Sequence, residues 1–322
     1  MPDTVTVLGI NGRIGREAAR AFAAAGWQVF GLGRTDRAAI PGVTFIAGDA
    51  ENPEDVAHAV APADIVLDAV NLPYDKWDKG RYEKSLAARL EGLAGSNKTL
   101  LFPGNIYAYA ADTHVISPDT PVSPPTDKGE IRVRLERMLE RATERNDLQV
   151  VILRAPDFFG PGATGTTFDL VILKNLAKGV LAYPGDPEIG HSWAYLPDLA
   201  RAFVRVAEER KSLERFDRLH FAGQFRTGLE LAASAERALS RPFAIKRVNW
   251  LPVRLIAPFV PILREVLKMN YLWDHPHRLL DPRLDALLGP DFLTPFDEAL
   301  AKTLRSYLPE AAPNAQPARA AA

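Results

Sequence analysis

Three glycines near the start of the chain stand at a spacing that could hold phosphate. The stretch GINGRIG, residues 9–15, follows a strand-like run and opens an Ala-rich helical pattern. Gly9 would permit a tight turn, Gly12 a close approach of the backbone to a pyrophosphate, and Gly15 close packing of helix on strand. The helix N-terminus would offer free N–H groups to the phosphates. The pattern predicts a dinucleotide site, and a purely structural turn is the alternative. Further residues of this loop are expected in the same site: Asn11, Arg13 and Ile14.

The residue after the second predicted strand bears on the choice of dinucleotide. In GLGRTDR, Gly33 is followed by Arg34, with Arg37 nearby. An acidic residue here would hold the ribose hydroxyls of NAD, whereas Arg34 can stack on adenine and pair with a 2′-phosphate. We therefore predict NADP as the cofactor, with NAD possible. A solvated loop arginine is the alternative.

Residues at the ends of later strands complete the predicted cofactor site. Asp49 follows the third strand and could accept a hydrogen bond from the adenine amino group. A turn or N-cap role before the helix at 53 is an equally good interpretation of Asp49. Three more positions at strand ends are predicted to contact the cofactor: Ala50, Val70 and Asn71.

A basic pair one helical turn apart raises the question of proton transfer. Lys128 and Arg132 lie in KGEIRVRLERML, residues 128–139. Arg132 could hold ribose hydroxyls but cannot titrate in a protein. Lys128 could act as an acid or base only if burial beside another cation lowered its pKa strongly. The neighbouring charges predict wet surroundings, so we do not expect that shift. The alternative is a solvated basic face on which Glu136 pairs with Arg132.

Other side chains could deliver the proton or bind substrate. Tyr107 follows the fifth predicted strand and is the favoured acid, while Asn105 could donate a hydrogen bond to a substrate carbonyl; a packing tyrosine is the alternative. His191, Trp193 and Tyr195 are expected in a loop at the mouth of the substrate pocket, although a loop histidine in a hydrogen-bond network is equally plausible. The pair in HPH, 275–277, lacks a third ligand nearby, so no metal is predicted.

The elements that must position these residues alternate along the first half of the chain. Short apolar runs begin near residues 4, 27, 43, 64, 98 and 150, with helical patterns between them. This order predicts an α/β fold with a Rossmann-type, doubly wound parallel sheet and a smaller C-terminal substrate lobe. The expected division is 1–160 for the dinucleotide-binding core, 161–310 mainly for the substrate lobe with some elements returning to the core, and 311–322 for a disordered tail.

Composition narrows the possible partners and location. The chain has 322 residues, a net charge of -1 and no Cys, so disulfides and thiolate catalysis are excluded. A cytoplasmic location is expected, with no secretory signal pattern and no nucleic-acid partner. The apolar run 251–263 is shorter than the roughly 20 residues that span a bilayer. We expect 251–275 to cover the pocket rather than to meet a membrane; a membrane-surface or dimer contact is the alternative, and a homodimer is possible.

These motifs together resemble the extended short-chain dehydrogenase/reductase superfamily, of the NAD-dependent epimerase/dehydratase type, from Val5 to about Leu308. GINGRIG is similar to its glycine loop, LLFPGNIYAYA (100–110) to its fifth strand and the segment after it, and VILRAPDFFGPG (151–162) to a later segment in which Asp157 replaces an Asn. The resemblance implies that Asp157 bonds to backbone near the cofactor. It also places Lys128 and Arg132 where the family has its catalytic Tyr and Lys.

The resemblance implies carbonyl or hydroxyl chemistry with a small-molecule substrate. We expect an NADP-dependent reductase, dehydrogenase or epimerase, in which the protein orients the nicotinamide and supplies a proton relay. A binding protein of the same fold that senses NADP(H) without catalysis is the alternative, and the altered Lys128/Arg132 pair supports it.

Overall fold

The structure, a computed structural model, describes residues 3–145 and 147–308. The predicted disordered tail, 311–322, lies outside the described residues. The strands of the described residues are, in chain order, β1 (Thr4–Leu8), β2 (Gln28–Gly33), β3 (Val43–Ala47), β4 (Ile65–Asp68), β5 (Thr99–Gly104), β6 (Val115–Ile116), β7 (Gln149–Arg154), β8 (Phe158–Phe159), β9 (Val180–Tyr183), β10 (Gly190–Tyr195), β11 (Phe216–His220), β12 (Gln224–Thr227), β13 (Ala244–Arg247) and β14 (Arg278–Leu279).

Helices lie between and after these strands. The α-helices are α1 (Arg13–Ala24), α2 (Pro53–Val60), α3 (Arg81–Gly92), α4 (Asp127–Arg145), α5 (Leu196–Glu208), α6 (Gly228–Leu239), α7 (Leu251–Ile256), α8 (Pro261–Lys268), α9 (Pro282–Leu288) and α10 (Phe296–Tyr307). Short 3-10 turns lie at Tyr74–Lys76, Leu176–Lys178, Arg210–Ser212, Ala257–Phe259 and Asn270–Trp273, and a π turn lies at Phe168–Ile172. None of the helices in these described ranges is long and apolar enough to cross a membrane.

A seven-stranded sheet forms the centre of the fold. Its order is β11-β7-β5-β4-β1-β2-β3, and all of its strands are parallel. The chain runs outward from β1 to β3 and then returns to β4 on the other side of β1. The order therefore reverses between β1 and β4, which is where open α/β sheets bind ligands. This confirms the predicted Rossmann-type class.

Helices cover both faces of the sheet because its inner strands are apolar on both sides. Every residue of β4 is buried, as a strand covered on two faces requires. Helices α1 and α5 pack together on one face, and α2, α3 and α4 form the neighbouring layer on the other. Local sequence sets the helix starts: Asn52 caps α2 ahead of a Pro, and Thr227 and Glu230 form a capping box on α6. The six strands predicted from the apolar runs and the helices predicted between them are all present.

The second half of the chain contributes to two regions. Strand β11 joins the edge of the central sheet, and α5 packs on α1. Smaller sheets, β12-β10-β8, β13-β9 and β14-β6, lie beyond the carboxyl edge. The exact division into a core and a lobe at residue 160 stays a prediction.

The predicted loop around His191 is wrong. Residues 190–195 form strand β10, which pairs with β12 on one side and β8 on the other, and all six residues are buried. Pairing on both edges and aromatic packing instead satisfy its backbone and bury its side chains.

Candidate active site

The glycine loop lies against the end of β4, at the point where the strand order reverses. Gly9 has φ +75°, and a Cβ there would lie 3.1 Å from the backbone nitrogen of Val70. A Cβ on Gly15 would overlap the carbonyl oxygen of Gly9. Gly12 is the N-cap of α1, which has no side-chain cap and no acidic residue in its first turn. The N–H groups at this helix start are therefore available to phosphate, and the loop fits a dinucleotide.

Asn11 connects the glycine loop to the loop after β2. Its side chain donates to the carbonyl oxygen of Thr35 at 2.8 Å and accepts from the backbone nitrogens of Arg37 and Ala38 at 3.1 and 3.0 Å. Asn11 thus fixes the loop that begins with Arg34. Arg34 is exposed, and no acceptor among the described residues contacts its guanidinium. That group is available to an anionic ligand at the tip of β2.

The start of α1 also contacts a loop that follows β8. Arg16 donates to the carbonyl oxygen of Gly162 at 2.7 Å. The guanidinium of Arg13 lies beside Gly165, where an added Cβ would be 3.1 Å from it. Ile14 is half-buried in the same turn. This loop therefore lies across the first turn of α1, close to the predicted phosphate position.

Four other predicted cofactor positions, which follow β3 and β4, lie in segments held by hydrogen bonds within the protein. Asp49 accepts from the backbone nitrogen of Glu51 at 3.0 Å, so the turn role is realised; the half-buried Ala50 lies inside that turn. After β4, the Tyr82 hydroxyl donates toward the carbonyl oxygen of Val70 and the side chain of Asn71, at 3.2 and 3.0 Å. These bonds hold the segment that faces the glycine loop.

Lys128 is buried and already partnered. Its side chain is 2% exposed, and its Nζ lies 2.9 Å from an oxygen of Glu265 on α8. The same nitrogen donates to the carbonyl oxygen of Tyr74 at 2.6 Å. The predicted wet surroundings are therefore wrong, because the first turn of α4 is covered by α8 and by the turn at Tyr74–Lys76. The ammonium group joins three segments of the chain.

Arg132 is likewise buried, one turn further along α4. Its guanidinium lies over the rings of Trp77 and Tyr82, at 4.7 and 5.3 Å from their centroids. Its Nε has no hydrogen-bond acceptor in the described part of the chain. A buried donor without an acceptor fits a ligand oxygen, such as a ribose hydroxyl.

The alternative interpretation, in which Glu136 pairs with Arg132 on a solvated face, does not hold. Glu136 accepts instead from Nη2 of Arg154, at 2.8 and 2.9 Å to its two oxygens. Arg154 ends β7, is buried, and also donates to the carbonyl oxygen of Asn105. The face of α4 that carries Lys128, Arg132 and Glu136 packs inward on the sheet, so these charges find buried partners rather than water.

Tyr107 shares a hydrogen bond between hydroxyl groups with Tyr74. Its backbone nitrogen donates to Oδ1 of Asn105 at 3.2 Å, which fixes the turn after β5. The amide nitrogen of Asn105 has no hydrogen-bond partner within the described part of the chain. Burial raises the pKa of Tyr107 well above its usual value, and neighbouring Tyr74 and Asp157 add to this rise. Burial also raises the pKa of Tyr74. Both phenols stay protonated at neutral pH and can donate a proton.

The carboxyl group of Asp157 has no hydrogen-bond donor among the residues that the structure describes. Asp157 follows β7, and only its backbone carbonyl is bonded, to the nitrogen of Ala194 at 2.9 Å. The predicted bond of its side chain to backbone is absent from the described residues. Burial raises the pKa of Asp157 to about 6. Its charge also contributes to raising the pKa values of Tyr107, Tyr183 and Tyr271.

The three residues predicted to bind substrate share one face of β10, because they alternate along the strand. His191 bonds through Nδ1 to the Tyr183 hydroxyl at 2.8 Å and packs against Trp273 and His277. Trp193 packs on Phe168 and Trp273, and Tyr195 on Phe159. Burial lowers the pKa of His191 to about 4 and that of His277 to about 3, so both rings are neutral near pH 7.

Several buried polar atoms around this aromatic group have no hydrogen-bond partner among the described residues. They are His191 Nε2, His277 Nε2, Trp193 Nε1, Asn270 Oδ1 and Tyr271 Oη. Buried polar atoms in proteins are nearly always partnered. They are donors and acceptors that a bound polar group could satisfy. No cluster of three His, Asp or Glu side chains within residues 3–145 and 147–308 could hold a metal ion.

Sequence reasoning missed several of these residues. Tyr74 had a usable signal, because it follows β4, whose carboxyl end meets the glycine loop. Tyr183, Tyr271 and Glu265 had none, since they reach the site from separate elements of the second half. His277 was considered only as a metal ligand, yet its ring lies 4.6 Å from that of His191.

Comparisons with known proteins agree with this fold. Residues 5–219 match the NAD dependent epimerase/dehydratase family. A search of curated proteins gives no significant match. Among solved structures, MoeE5 in complex with UDP-glucose and NAD is similar, with a TM-score of 0.73, 17% identity, and coverage of 94% of this chain and 98% of that one.

Two further solved structures are similar to the same extent. UDP-glucuronic acid 4-epimerase from Bacillus cereus, in complex with NAD, has a TM-score of 0.73 at 15% identity, covering 94% of this chain and 96% of that one. The Bordetella bronchiseptica enzyme WbmH, in complex with NAD+, has a TM-score of 0.70 at 19% identity, covering 95% and 98%. At these identities the likeness concerns the fold.

Proposed function

Since the chain belongs to the NAD dependent epimerase/dehydratase family, a family of enzymes, we propose that it is an oxidoreductase or epimerase. It uses a nicotinamide dinucleotide, preferably NADP, on a small substrate with a carbonyl or hydroxyl group. The observation that carries this proposal is the bond between the hydroxyls of Tyr107 and Tyr74 beside the unpartnered carboxylate of Asp157. Neutral phenols next to a free carboxylate are the groups that a carbonyl–hydroxyl interconversion requires.

Several residues would hold the cofactor. The N-terminus of α1 binds the pyrophosphate, the free guanidinium of Arg34 binds a 2′-phosphate, and Nε of Arg132 donates to a ribose hydroxyl. The bound nicotinamide supplies hydride exchange with the substrate carbon. The preference for NADP rests on Arg34, since the similar solved structures contain NAD. The proposed location is the cytoplasm.

Tyr107 delivers the proton in the reduction direction. Its phenol stays protonated at neutral pH, so it can donate to a developing alkoxide oxygen. Tyr74 then donates its own proton to Tyr107 and takes a replacement proton from water, so that both phenols are restored. The unpartnered amide nitrogen of Asn105 donates to the same substrate oxygen. Lys128 does not take part directly, because its ammonium is held by Glu265 and by the Tyr74 carbonyl.

Asp157 binds and orients a substrate hydroxyl. With a pKa of about 6 it is mostly ionised at pH 7 and accepts a hydrogen bond strongly in its buried position. His191 and His277 stay neutral and offer Nε2 to other polar atoms of the substrate. The sugar nucleotides in similar solved structures make hydroxylated sugars one class to test.

One observation favours a second candidate, a protein that binds NADP(H) without catalysis. Lys128 stands where the family resemblance places a catalytic tyrosine. In the structure it is buried and forms an ion pair that connects α4 to α8. A chain that had lost turnover could keep such a lysine for stability alone.

The test is hydride transfer with purified protein. We expect NADPH to be oxidised by at least one aldehyde, ketone or keto-sugar, or NAD+ or NADP+ to be reduced by at least one hydroxylated substrate such as a UDP-activated sugar. Epimerisation, which leaves the cofactor unchanged, is followed by analysis of the sugar product. The Tyr107→Phe protein serves as the control that still binds cofactor. Tight NADPH binding without turnover of any substrate in either direction would contradict the proposal of an enzyme. It would favour the second candidate, a protein that binds NADP(H) without catalysis.

A further inference from the structure

Helices α7 and α8 carry a cluster of exposed apolar side chains, which we call the α7–α8 patch. Phe259 is 85% exposed and Leu255 68% exposed. The complete set is Leu251, Leu255, Ile256, Phe259 and Ile262. These five make up half of the exposed large apolar side chains among the described residues, and they lie within one short segment. Contiguous apolar surface of this kind on a folded protein marks an interaction site.

The patch sits on a firmly attached segment. On its inner side, Glu265 pairs with the buried Lys128, and Lys268 lies 2.7 Å from Asp127. Trp250, just before α7, donates from Nε1 to the carbonyl oxygen of Pro184 at 2.7 Å. These contacts tie the inner face of the segment to the wall of the candidate site. The outer face is therefore held in place with its apolar side chains directed away from the protein.

Unpaired cations lie in the same stretch of the chain as the patch. Lys246, Arg247, Arg254 and Arg264 are all exposed, and no carboxylate of the described chain lies within ion-pair distance of them. Between residues 244 and 268 the sequence has five basic residues and a single acidic one, Glu265, whose charge is used by Lys128 and Lys268. The segment is thus strongly basic, although the whole chain has a net charge of -1.

We propose that the α7–α8 patch docks on the surface of an anionic phospholipid bilayer. Short amphipathic helices with bulky apolar side chains on one face and cations around it lie in the headgroup region, where the apolar groups leave water and the cations meet anionic lipid. This revises the expectation that 251–275 does not meet a membrane. The inner face of the segment packs over Lys128 at the candidate site. The outer face carries the apolar side chains that would contact the bilayer.

A second copy of the chain fits the patch less well. In a two-fold dimer the same surface meets itself, so the unpaired cations of one patch would face those of the other. Like charges placed together across an interface are repulsive, and the patch offers no carboxylate to offset them. An anionic bilayer can accept both the apolar side chains of the patch and the unpaired cations of the same segment.

The experiment is flotation of the full chain with vesicles of phosphatidylcholine alone or mixed with phosphatidylglycerol. We expect the protein to float with the mixed vesicles, to remain behind with phosphatidylcholine, and to dissociate when the salt concentration is raised. The variants Leu255→Ser/Phe259→Ser and Arg254→Glu/Arg264→Glu should each lower the vesicle-bound fraction at least about tenfold. Leu170→Ser, which changes an equally exposed leucine outside the patch, should bind like the unmodified protein.

Cofactor affinity and thermal melting are measured on each variant, because none of the changed side chains touches the predicted cofactor site. Unchanged values with lost flotation support the proposal. Failure of the unmodified protein to float with phosphatidylglycerol, or flotation that the patch variants leave intact, would overturn it. A dimer in solution that both patch variants dissociate would also overturn it in favour of a second copy. None of these outcomes depends on turnover, so they are distinct from a failure of the proposed enzyme activity.

Discussion

The ammonium group of Lys128 lies 2.9 Å from the carboxylate of Glu265, and both groups are shielded from water. Lys128 begins α4 against the central sheet, while Glu265 lies on α8, far along the chain. The pair therefore fastens the covering segment over the candidate site. It also gives Lys128 a structural role that makes it unavailable as a free acid or base.

Breaking this pair should cost stability. Lys128→Met leaves Glu265 partly buried with only Lys268 at 3.0 Å to offset its charge, so we expect a loss of about 1–3 kcal/mol in the free energy of unfolding. Glu265→Gln should lose a similar amount by leaving Lys128 unpaired. The double variant should lose less than the sum, with a coupling energy of about 1–3 kcal/mol in urea denaturation. Additive losses would mean that the pair contributes nothing.

Arg34 should discriminate between the two dinucleotides. Its guanidinium is exposed and unpaired at the tip of β2, in a loop that Asn11 fixes. Arg34→Ala should weaken NADP binding by roughly 1.5–3 kcal/mol, the scale of a charge-assisted hydrogen bond, and leave NAD almost unchanged. Isothermal titration with both cofactors makes the measurement, and NAD is the internal control. An equal loss of affinity for both cofactors would exclude a role for Arg34 in binding the 2′-phosphate.

Asp157 should make stability depend on pH in a definite direction. Its folded-state pKa of about 6 exceeds its ordinary 3.8, so ionising it in the folded protein costs up to about 3 kcal/mol. This cost is absent below pH 3.8 and complete above about pH 6. Asp157→Asn should therefore gain stability over the unmodified protein as the pH rises from 4.5 to 7.5.

Denaturation of the cofactor-free protein at several pH values tests this sign. Asp119→Asn changes an exposed carboxyl without a hydrogen-bond partner in the described chain, and should give no such trend. A gain in stability for Asp157→Asn that is the same at every pH would show that burial does not raise the pKa of this carboxyl group.

The sequence alone was sufficient for the central sheet. Apolar runs such as the one at β4, separated by helical patterns, are typical of a doubly wound parallel sheet. The helix predicted to begin at residue 53 is also present, as α2. The glycine spacing was equally direct, because Gly9 and Gly15 meet backbone within the same short loop. Local patterns determine these features, so one sequence is enough to predict them.

The environment of the site could not be predicted in the same way. The charges around Lys128 suggested a solvated helix face, yet its partner Glu265 comes from a segment with no local link to α4. Tyr74 and Tyr107 are joined through a turn after β4, and Tyr271 reaches the same space from beyond α8. Such contacts depend on how distant segments pack, which single-sequence periodicity does not record.

The central claim is that Tyr107, rather than Lys128, delivers the proton, and one comparison tests it most directly. The rate of hydride transfer to the best carbonyl substrate is measured at saturating cofactor for Tyr107→Phe and Lys128→Met, at a temperature where both are folded. The account predicts a fall of about 10²–10⁴ for Tyr107→Phe and most of the rate retained for Lys128→Met. Loss of turnover in Lys128→Met with little change in Tyr107→Phe would contradict it and assign the proton to the buried lysine.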